Sequence, residues 1–203
     1  MAKEYNYEAE KAREEFENIF TTHIKRDGAK ELLDWLKKSD FFTAPASTRH
    51  HSAFAGGLCY HSVNCYNRFL KNIIAEYGEN YKNTISDESI AIIALLHDVC
   101  KTNFYKEDVR NVKIDGVWEQ VPYYTIDDKL PYGHGEKSVY MISGFMKLTR
   151  EEALAINWHM GGFDPRVQYG SQAMSQSFYT YPVCTLFHIA DIQATYLDEK
   201  VEQ

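Results

Sequence analysis

The dipeptide His97-Asp98 closes the run 86–96, and it carries two metal-ligating side chains where a core helix would normally carry aliphatic residues. Neighbouring side chains on a helix point about 100° apart, so both can serve one ion only at a helix end or among other ligands. Four further candidates are spread along the chain: His61, His134, His159 and Asp191. Imidazoles and carboxylates without thiolates suit borderline-hard divalent ions, so the sequence predicts a site for Mn, Fe, Co, Ni, Zn or Mg.

Composition is compatible with one domain around one core. The chain has 203 residues, of which 44% are hydrophobic, and we expect a single domain over 1–203 with N-terminal helices in 1–44 and the metal-site core in 45–198. The net charge is -7 and no block of Lys or Arg occurs. The sequence therefore predicts no extended nucleic-acid surface, although a small anionic substrate remains compatible because bound cations would dominate the local field.

The four cysteines form neither a CxxC pair nor the dense pattern of a secreted disulfide scaffold, so we expect reduced, structural thiols. The chain opens on polar and charged residues rather than an apolar signal, and no run approaches the ~18 residues of a membrane span. These features predict a soluble cytoplasmic protein with no membrane partner. The oligomeric state is left open.

Apolar periodicity and turn residues predict a mainly helical chain with one β-hairpin. The hairpin is expected over 109–121, with a two-residue turn at Asp115-Gly116. Ser86 is expected to cap one helix, Thr149 to open a capping box in another, and Gly78 to end a third. Helices are predicted over 5–20, 28–37, 58–77, 86–101, 136–147, 149–159 and 182–198, and irregular loops over 43–57 and 168–179.

The order of the candidate ligands resembles that of the HD-domain superfamily of metal-dependent phosphohydrolases. The resemblance covers about residues 45–198. The segment 50–62 is similar to the one that carries the first histidine in a subgroup that includes a bacterial 3′–5′ exoribonuclease, and 95–101 fits the signature pair with its trailing lysine. The matching residues, in order, are His61, His97-Asp98, His134, His159 and Asp191.

This resemblance implies an all-α HD-type helical bundle that holds one or two divalent metal ions. It implies that a first ion is bound by His61, His97, Asp98 and Asp191. It implies that His134 and His159 help to hold a second ion, with Asp98 bridging the two. The implied chemistry is phosphoester hydrolysis by a metal-activated water, with Asp98 and Lys101 as catalytic residues.

Three residues with nitrogen side chains are candidates for binding the substrate. Lys101 lies three residues after Asp98, so on a helix it would share the face of that aspartate and could steer a phosphate or brace the carboxylate; a solvated lysine at the helix end is the alternative. Arg49 and His51 are expected to line the mouth of the pocket, with a surface-loop role as the alternative for each. His188, one turn before Asp191, is expected to be a core histidine, with a role in orienting Asp191 as the alternative.

The leading hypothesis is a divalent-metal-dependent phosphohydrolase that acts on a nucleotide or a short phosphodiester, so the expected partner is a small phosphorylated molecule. One alternative is a metal-containing nucleotide-binding or sensor protein with little catalysis. The other is a 3′–5′ exoribonuclease-like enzyme, which the acidic composition disfavours.

Overall fold

The computed structural model describes residues 7–199, which form a helical body with one projecting hairpin. Short 3₁₀ turns lie at Gly78–Asn83, Val99–Lys101 and Gly161–Phe163, and a π-helical turn lies at Ala194–Asp198. The helices are α1 (Tyr7–His23), α2 (Ala29–Lys38), α3 (Gly57–Tyr77), α4 (Asp87–Leu96), α5 (His134–Ser143), α6 (Arg150–Asn157), α7 (Pro165–Gln168), α8 (Ala173–Thr180) and α9 (Pro182–Gln193), and the strands are β1 (Tyr105–Ile114) and β2 (Val117–Ile126).

Helix α4 is the centre of the body. Every residue from Ile90 to Leu96 is buried, because the helix is apolar on all sides and packs against α1, α3 and α6. Helix α3 lies beside it and also contacts α1 and α9. The end of α4 is therefore held from several directions, which fixes the backbone that carries His97 and Asp98.

The N-terminal helices cover one side of this centre through apolar faces. Phe16 and Phe20 of α1 are buried, and Leu32 and Leu36 of α2 lie in the same hydrophobic cluster as α4. The boundary at residue 44 between N-terminal helices and metal-site core stays a prediction, as does the single-domain assignment.

The expected helix-end signals are confirmed. The Ser86 hydroxyl accepts a hydrogen bond from the Ser89 N–H at 3.0 Å, so it caps α4. Thr149 and Glu152 form the reciprocal capping box of α6. Gly78 has a φ of 70°, and its N–H donates to the carbonyl of Ile74 at the end of α3.

Several predicted helix boundaries are wrong. Helix α4 ends at Leu96 instead of continuing to 101, α5 runs over His134–Ser143, and α6 ends before His159. The polar segment 168–179 is predicted to be irregular, but it contains most of α8. Ser177 is the buried residue of this helix. A mostly solvated helix shows no apolar stripe, so periodicity does not reveal it. The predicted start of the first helix at residue 5 lies outside the described residues.

The predicted hairpin is present and is longer than expected, with its strands extending over 105–126. Asp115 and Gly116 both have positive φ, as a two-residue type I′ turn requires. The Tyr105 hydroxyl donates to the carbonyl of Ala46 at 3.0 Å and attaches the base of the hairpin to the body. A mostly helical body with one hairpin agrees with the predicted fold class. Within residues 7–199, no helix has both the length and the apolar character needed to cross a bilayer.

An ion cluster ties the loop after α1 to the start of α6. The two terminal nitrogens of the Arg26 guanidinium each donate to one oxygen of Glu152 at 2.8 Å, and one of them also donates to Glu88 at 3.1 Å. The Glu152 carboxylate is completely buried, so it depends on these donors and on Ser89 and the Thr149 N–H. Removing the arginine would leave a buried charge without its main partner.

We expect the substitution Arg26→Ala to lower the free energy of unfolding by about 3 kcal/mol, the lower end of the range for a broken buried ion pair, because Arg26 itself is partly exposed. Urea denaturation followed by circular dichroism measures this change. Lys30→Ala, which removes an exposed ion pair with Asp34 on α2, is the control and should leave the unfolding midpoint unchanged. Equal midpoints for the two variants would contradict a structural role for the Arg26 cluster.

Candidate metal centre

The His97-Asp98 pair lies directly after α4, where the backbone leaves the helix. His97 Nδ1 lies 2.8 Å from the carbonyl of Ala94, which turns its ring back over the last helical turn. His97 Nε2 then lies 3.4 Å from Asp98 Oδ2, so the two adjacent side chains converge. This agrees with the expectation that neighbouring ligands can share an ion at a helix end.

His61, on α3, faces His97 across the centre. The two Nε2 atoms lie 3.3 Å apart, and both rings are buried. His97 Nδ1 donates to a carbonyl, and His61 Nδ1 donates to the carboxylate of Glu199 at 3.0 Å. In the neutral rings each Nε2 therefore presents a lone pair, and two facing lone pairs are compatible only with a proton or a cation between them.

Asp98 presents its two oxygens to different groups. Oδ2 accepts a hydrogen bond from Lys101 Nζ at 2.7 Å and lies on the side of His61 and His97. Oδ1 lies 2.9 Å from His134 Nε2 and 3.5 Å from His159 Nε2. One buried carboxylate thus lies between two pairs of imidazoles.

His159 adds a second indication that the cluster fits a cation. Its Nδ1 donates to the carbonyl of Ile156 at 2.6 Å, which leaves Nε2 facing Asp98. That Nε2 is buried and, among the described residues, has no hydrogen-bond partner. Buried polar atoms without partners are rare in folded proteins, so a ligand for this nitrogen is expected.

Asp191 of α9 completes the set, with Oδ1 3.3 Å from His61 Nε2. The structure brings all six predicted metal ligands into one cluster. The donor set fits a divalent cation, because Asp98, Asp191 and Glu199 carry three negative charges and Lys101 balances only one. The assignment of each side chain as a ligand stays a prediction.

The pKa values reflect the close packing of carboxylates, imidazoles and Lys101 in this cluster. Burial opposes the charged forms of Asp98 and Asp191, yet neighbouring cations and imidazoles hold both pKa values below the ordinary range. Burial likewise opposes a charge on His61, but Cys65, Glu199 and Asp191 raise its pKa. Without a metal, protons on the imidazoles compensate the carboxylates, and a bound cation would replace them.

The other histidines respond differently. Burial is the largest influence on His97 and His134, and it lowers both pKa values. The pKa of His159 is raised despite burial, through its contact with Asp98. For Lys101, Asp98 outweighs burial and raises the pKa, so this lysine stays charged.

The cluster forms the floor of a cavity of about 980 Å³. Arg49 is exposed at its wall, and Lys101 also lines it. The His51 ring lies against His61, with centroids 4.7 Å apart, and its Nε2 is buried without a partner in the described part of the chain. Burial, followed by the charges of His61 and Lys101, lowers the pKa of His51 to about 4, so this residue is a neutral donor or acceptor. The three predicted substrate-binding residues therefore share one cavity.

The loop that carries His51 depends on the Gly56-Gly57 pair. Gly56 has a φ of 84°, which favours glycine. A Cβ at Gly57 would lie 1.9 Å from the carbonyl oxygen of Ser52, so only glycine allows the loop to fold back onto the start of α3. This close approach places the loop over His61.

Sequence reasoning missed three groups around the centre. Glu199 accepts hydrogen bonds from His61, from Ser52 Oγ at 2.6 Å and from Asn64 Nδ2 at 3.0 Å, and nothing in its local sequence indicates this role. Cys65 and Cys100, which the sequence predicts to be structural thiols, both lie within the cluster. The spacing of Cys65, four residues after His61, is the signal that could have revealed its position.

His188 is also placed differently from the prediction. It lines the cavity and is partly exposed, so it is not a core histidine. Its Nδ1 lies 2.6 Å from the carbonyl of His159 and so supports the residue that carries the unpaired Nε2.

The comparison with protein-family models decides the family. The HD-domain model matches residues 60–191, which is more than half of the chain and spans the cluster from His61 to Asp191. The chain belongs to the HD-domain family. HD domains are generally metal-dependent hydrolases, and the buried groups of this chain could hold such a metal. Neither the search of curated proteins nor the search of solved structures gave a match.

We expect Glu199→Gln to weaken binding of Mn²⁺ or Zn²⁺ to the chelator-treated protein by about 10–100-fold, as loss of an outer partner of a metal-binding histidine usually does. The glutamine can still accept from His61 Nδ1 but carries no charge. Isothermal titration calorimetry measures the affinity. Asp198→Asn, which alters the neighbouring carboxylate paired with Arg68 at the surface, is the matched control. Equal affinities for the two variants would show that Glu199 does not support the site.

Proposed function

We propose that this protein is a divalent-metal-dependent phosphohydrolase that cleaves a nucleotide or a short phosphodiester with a metal-activated water. Membership of the HD-domain family supports hydrolysis. The buried, net negative cluster of histidines and carboxylates supports metal dependence. No protein nucleophile is required, since bound divalent ions lower the pKa of coordinated water and neutralise phosphoryl oxygens.

The observation that carries the proposal is the position of Asp98 between two pairs of imidazoles. His61 and His97 lie on the side of Oδ2, and His134 and His159 lie on the side of Oδ1. A carboxylate so placed suits a bridge between two ions about 3.5–4 Å apart, the spacing of two-metal phosphoesterases. We therefore propose His61, His97, Asp98 and Asp191 for the first ion, and Asp98, His134 and His159 for a second.

The chain's own residues supply binding and orientation. Lys101 donates a hydrogen bond to Asp98 Oδ2, which holds the carboxylate in place. Its charged amine also lines the cavity in which the substrate phosphate would bind. Arg49 offers a planar, two-pronged donor at the cavity wall. His51 is neutral, and its Nε2 has no hydrogen-bond partner within residues 7–199, so it can bond to a phosphoryl or leaving-group oxygen.

The cavity favours a substrate that carries more than a phosphate. A volume of about 980 Å³ is at the upper end of the range for small-molecule sites. Its walls also include apolar and aromatic side chains that could contact a base or sugar, namely Phe104, Ile126, Phe163, Ile192 and Tyr196. A nucleotide or a short phosphodiester meets both requirements, whereas the net charge of -7 disfavours long nucleic acids.

We expect Asp98→Asn to reduce kcat/KM by at least about 100-fold, since even changes outside the metal ligands cost about 10–100-fold. A chelator should abolish turnover of the wild-type protein, and Mn²⁺ should restore it. The measurement is phosphate release from a panel of nucleotides and short phosphodiesters. Asp108→Asn, on the exposed hairpin, is the control. Metal binding without turnover on any substrate would instead support the sensor hypothesis, and wild-type turnover by folded Asp98→Asn would exclude the proposed centre.

Arg49 and Lys101 should differ in their kinetic effects. Arg49→Ala should raise KM with little change in kcat. An exposed residue at the cavity wall is expected to stabilise the bound substrate and the transition state by the same free energy. Lys101→Met should lower kcat and also weaken metal binding, because it frees the Asp98 carboxylate. Steady-state kinetics with parallel metal titrations separate the two roles. A KM-only effect for Lys101→Met would make Lys101 a phosphate-binding residue instead.

A further inference from the structure

A cysteine thiol lies inside the first half of the centre. Cys65 follows His61 by one helical turn on α3, so the two side chains share a face of the helix. Its sulfur lies 3.5 Å from His61 Nε2 and 3.9 Å from Asp191 Oδ1, and it is completely buried. The donor atoms of His61, Cys65, His97 and Asp191 all lie within 4.8 Å of one another.

Two of these spacings agree with those of ligands on one tetrahedral ion. With metal–nitrogen bonds of about 2.0–2.1 Å and a metal–sulfur bond of about 2.3 Å, two nitrogens should lie about 3.4 Å apart and a nitrogen and a sulfur about 3.5–3.6 Å apart. The His61–His97 nitrogen distance is 3.3 Å, and the His61–Cys65 distance is 3.5 Å. The sulfur–Asp191 distance of 3.9 Å is slightly longer than a shared ion requires. Cys65 Sγ also lies 3.8 Å from His61 Nδ1, which places the sulfur beside the imidazole ring, so the thiol has to turn toward the ion to bind it.

The other buried thiol of the cluster has a different orientation. Cys100 Sγ lies 3.5 Å from His134 Nδ1 and 3.9 Å from Nε2, so it contacts mainly the ring nitrogen that points away from Asp98. Cys65 has the reverse preference, since its sulfur is closer to Nε2 of His61 than to Nδ1, at 3.5 Å against 3.8 Å. Of the two sulfurs, Cys65 therefore makes the closer approach to a nitrogen that faces the candidate metal centre, at 3.5 Å against 3.9 Å.

An independent observation indicates that this cluster is built to take a cation. His159 is 1% exposed, and its Nε2 has no hydrogen-bond partner among the described residues. This nitrogen faces Asp98, the carboxylate proposed to bridge the two ions. The thiol is thus an additional donor beside a centre whose buried donor set fits a cation.

We infer that Cys65 is a metal ligand of the first ion, together with His61, His97 and Asp191, and that it biases this site toward thiophilic divalent ions. The inference rests on the proposed function, because it concerns the same metal centre. On binding, the thiol proton passes to solvent and the sulfur forms a bond to the metal as a thiolate. A sulfur donor favours zinc, cobalt and cadmium over magnesium and manganese, which prefer oxygen.

The test is titration of the chelator-treated, full-length protein with Co²⁺, with no thiol reductant in the buffer. Wild-type protein should show a thiolate-to-cobalt charge-transfer band in the near ultraviolet in addition to the visible cobalt bands. Cys65→Ser should retain the visible bands and lose the charge-transfer band. The ratio of Cd²⁺ to Mn²⁺ affinity should also fall by more than about tenfold in this variant. Tenfold is about the smallest loss of metal affinity usually seen when a residue that only supports a ligand is replaced.

Cys100→Ser and Cys184→Ser are the matched controls, because both replace buried thiols and neither removes the sulfur next to His61 Nε2. Both should keep the charge-transfer band. Loss of the band in Cys100→Ser with retention in Cys65→Ser would overturn the inference. Thermal unfolding checks that each variant is folded. If Cys65→Ser does not fold, X-ray absorption of zinc-loaded wild-type and Cys100→Ser proteins decides the question through a zinc–sulfur shell at about 2.3 Å.

The outcomes separate this inference from the proposed function. Cobalt bound with visible bands but without a charge-transfer band or sulfur shell would exclude Cys65 as a ligand and leave the metal-dependent hydrolase standing. Absence of Co²⁺ and Zn²⁺ binding altogether would overturn both. A sulfur shell that persists in Cys100→Ser supports Cys65.

Discussion

The structure depends on a set of buried imidazole nitrogens whose lone pairs face one another and a shared carboxylate. In three of the rings the outer nitrogen is already committed, because His97 donates to Ala94, His159 to Ile156 and His61 to Glu199. Each of these bonds fixes both the orientation of a ring and the nitrogen that carries its proton. The inner nitrogens of His61 and His97 face each other at 3.3 Å, and that of His159 has no hydrogen-bond partner among the described residues. In a dry environment this arrangement is costly unless a proton or a cation is bound.

The fold keeps these rings in place by bringing distant segments to the end of one buried helix. Helix α4 is apolar on every side, so it cannot shift without exposing apolar surface to water. The backbone directly after Leu96 is therefore held in a fixed position. Helices α3 and α9 pack together and bring His61 and Asp191 to the same point. The chain after α9 places Glu199 against His61 Nδ1, on the side of the ring that faces away from the other candidate ligands.

The charges of the metal centre and the lining of the cavity both suit a phosphorylated organic substrate. Three carboxylates against one lysine make the floor a cation site, and bound cations would reverse the local field so that an anionic phosphate could approach. The walls above that floor are partly apolar and include Phe163. This gradient from charged floor to apolar wall suits a substrate with a phosphoryl group at one end and a larger organic group at the other.

Local sequence was sufficient for the helical class, the hairpin turn at Asp115-Gly116 and the helix-end signals, because these depend on interactions between residues a few positions apart. The order of histidines and aspartates, with the family pattern, also predicted which side chains would converge. The true end of α4, the helix in the polar segment 173–180 and the outer partners were not predictable in this way. Glu199 lies 138 residues from His61, and Cys65 carries no signal beyond its spacing. Their roles follow from burial and from contacts between distant helices, which tertiary packing alone decides.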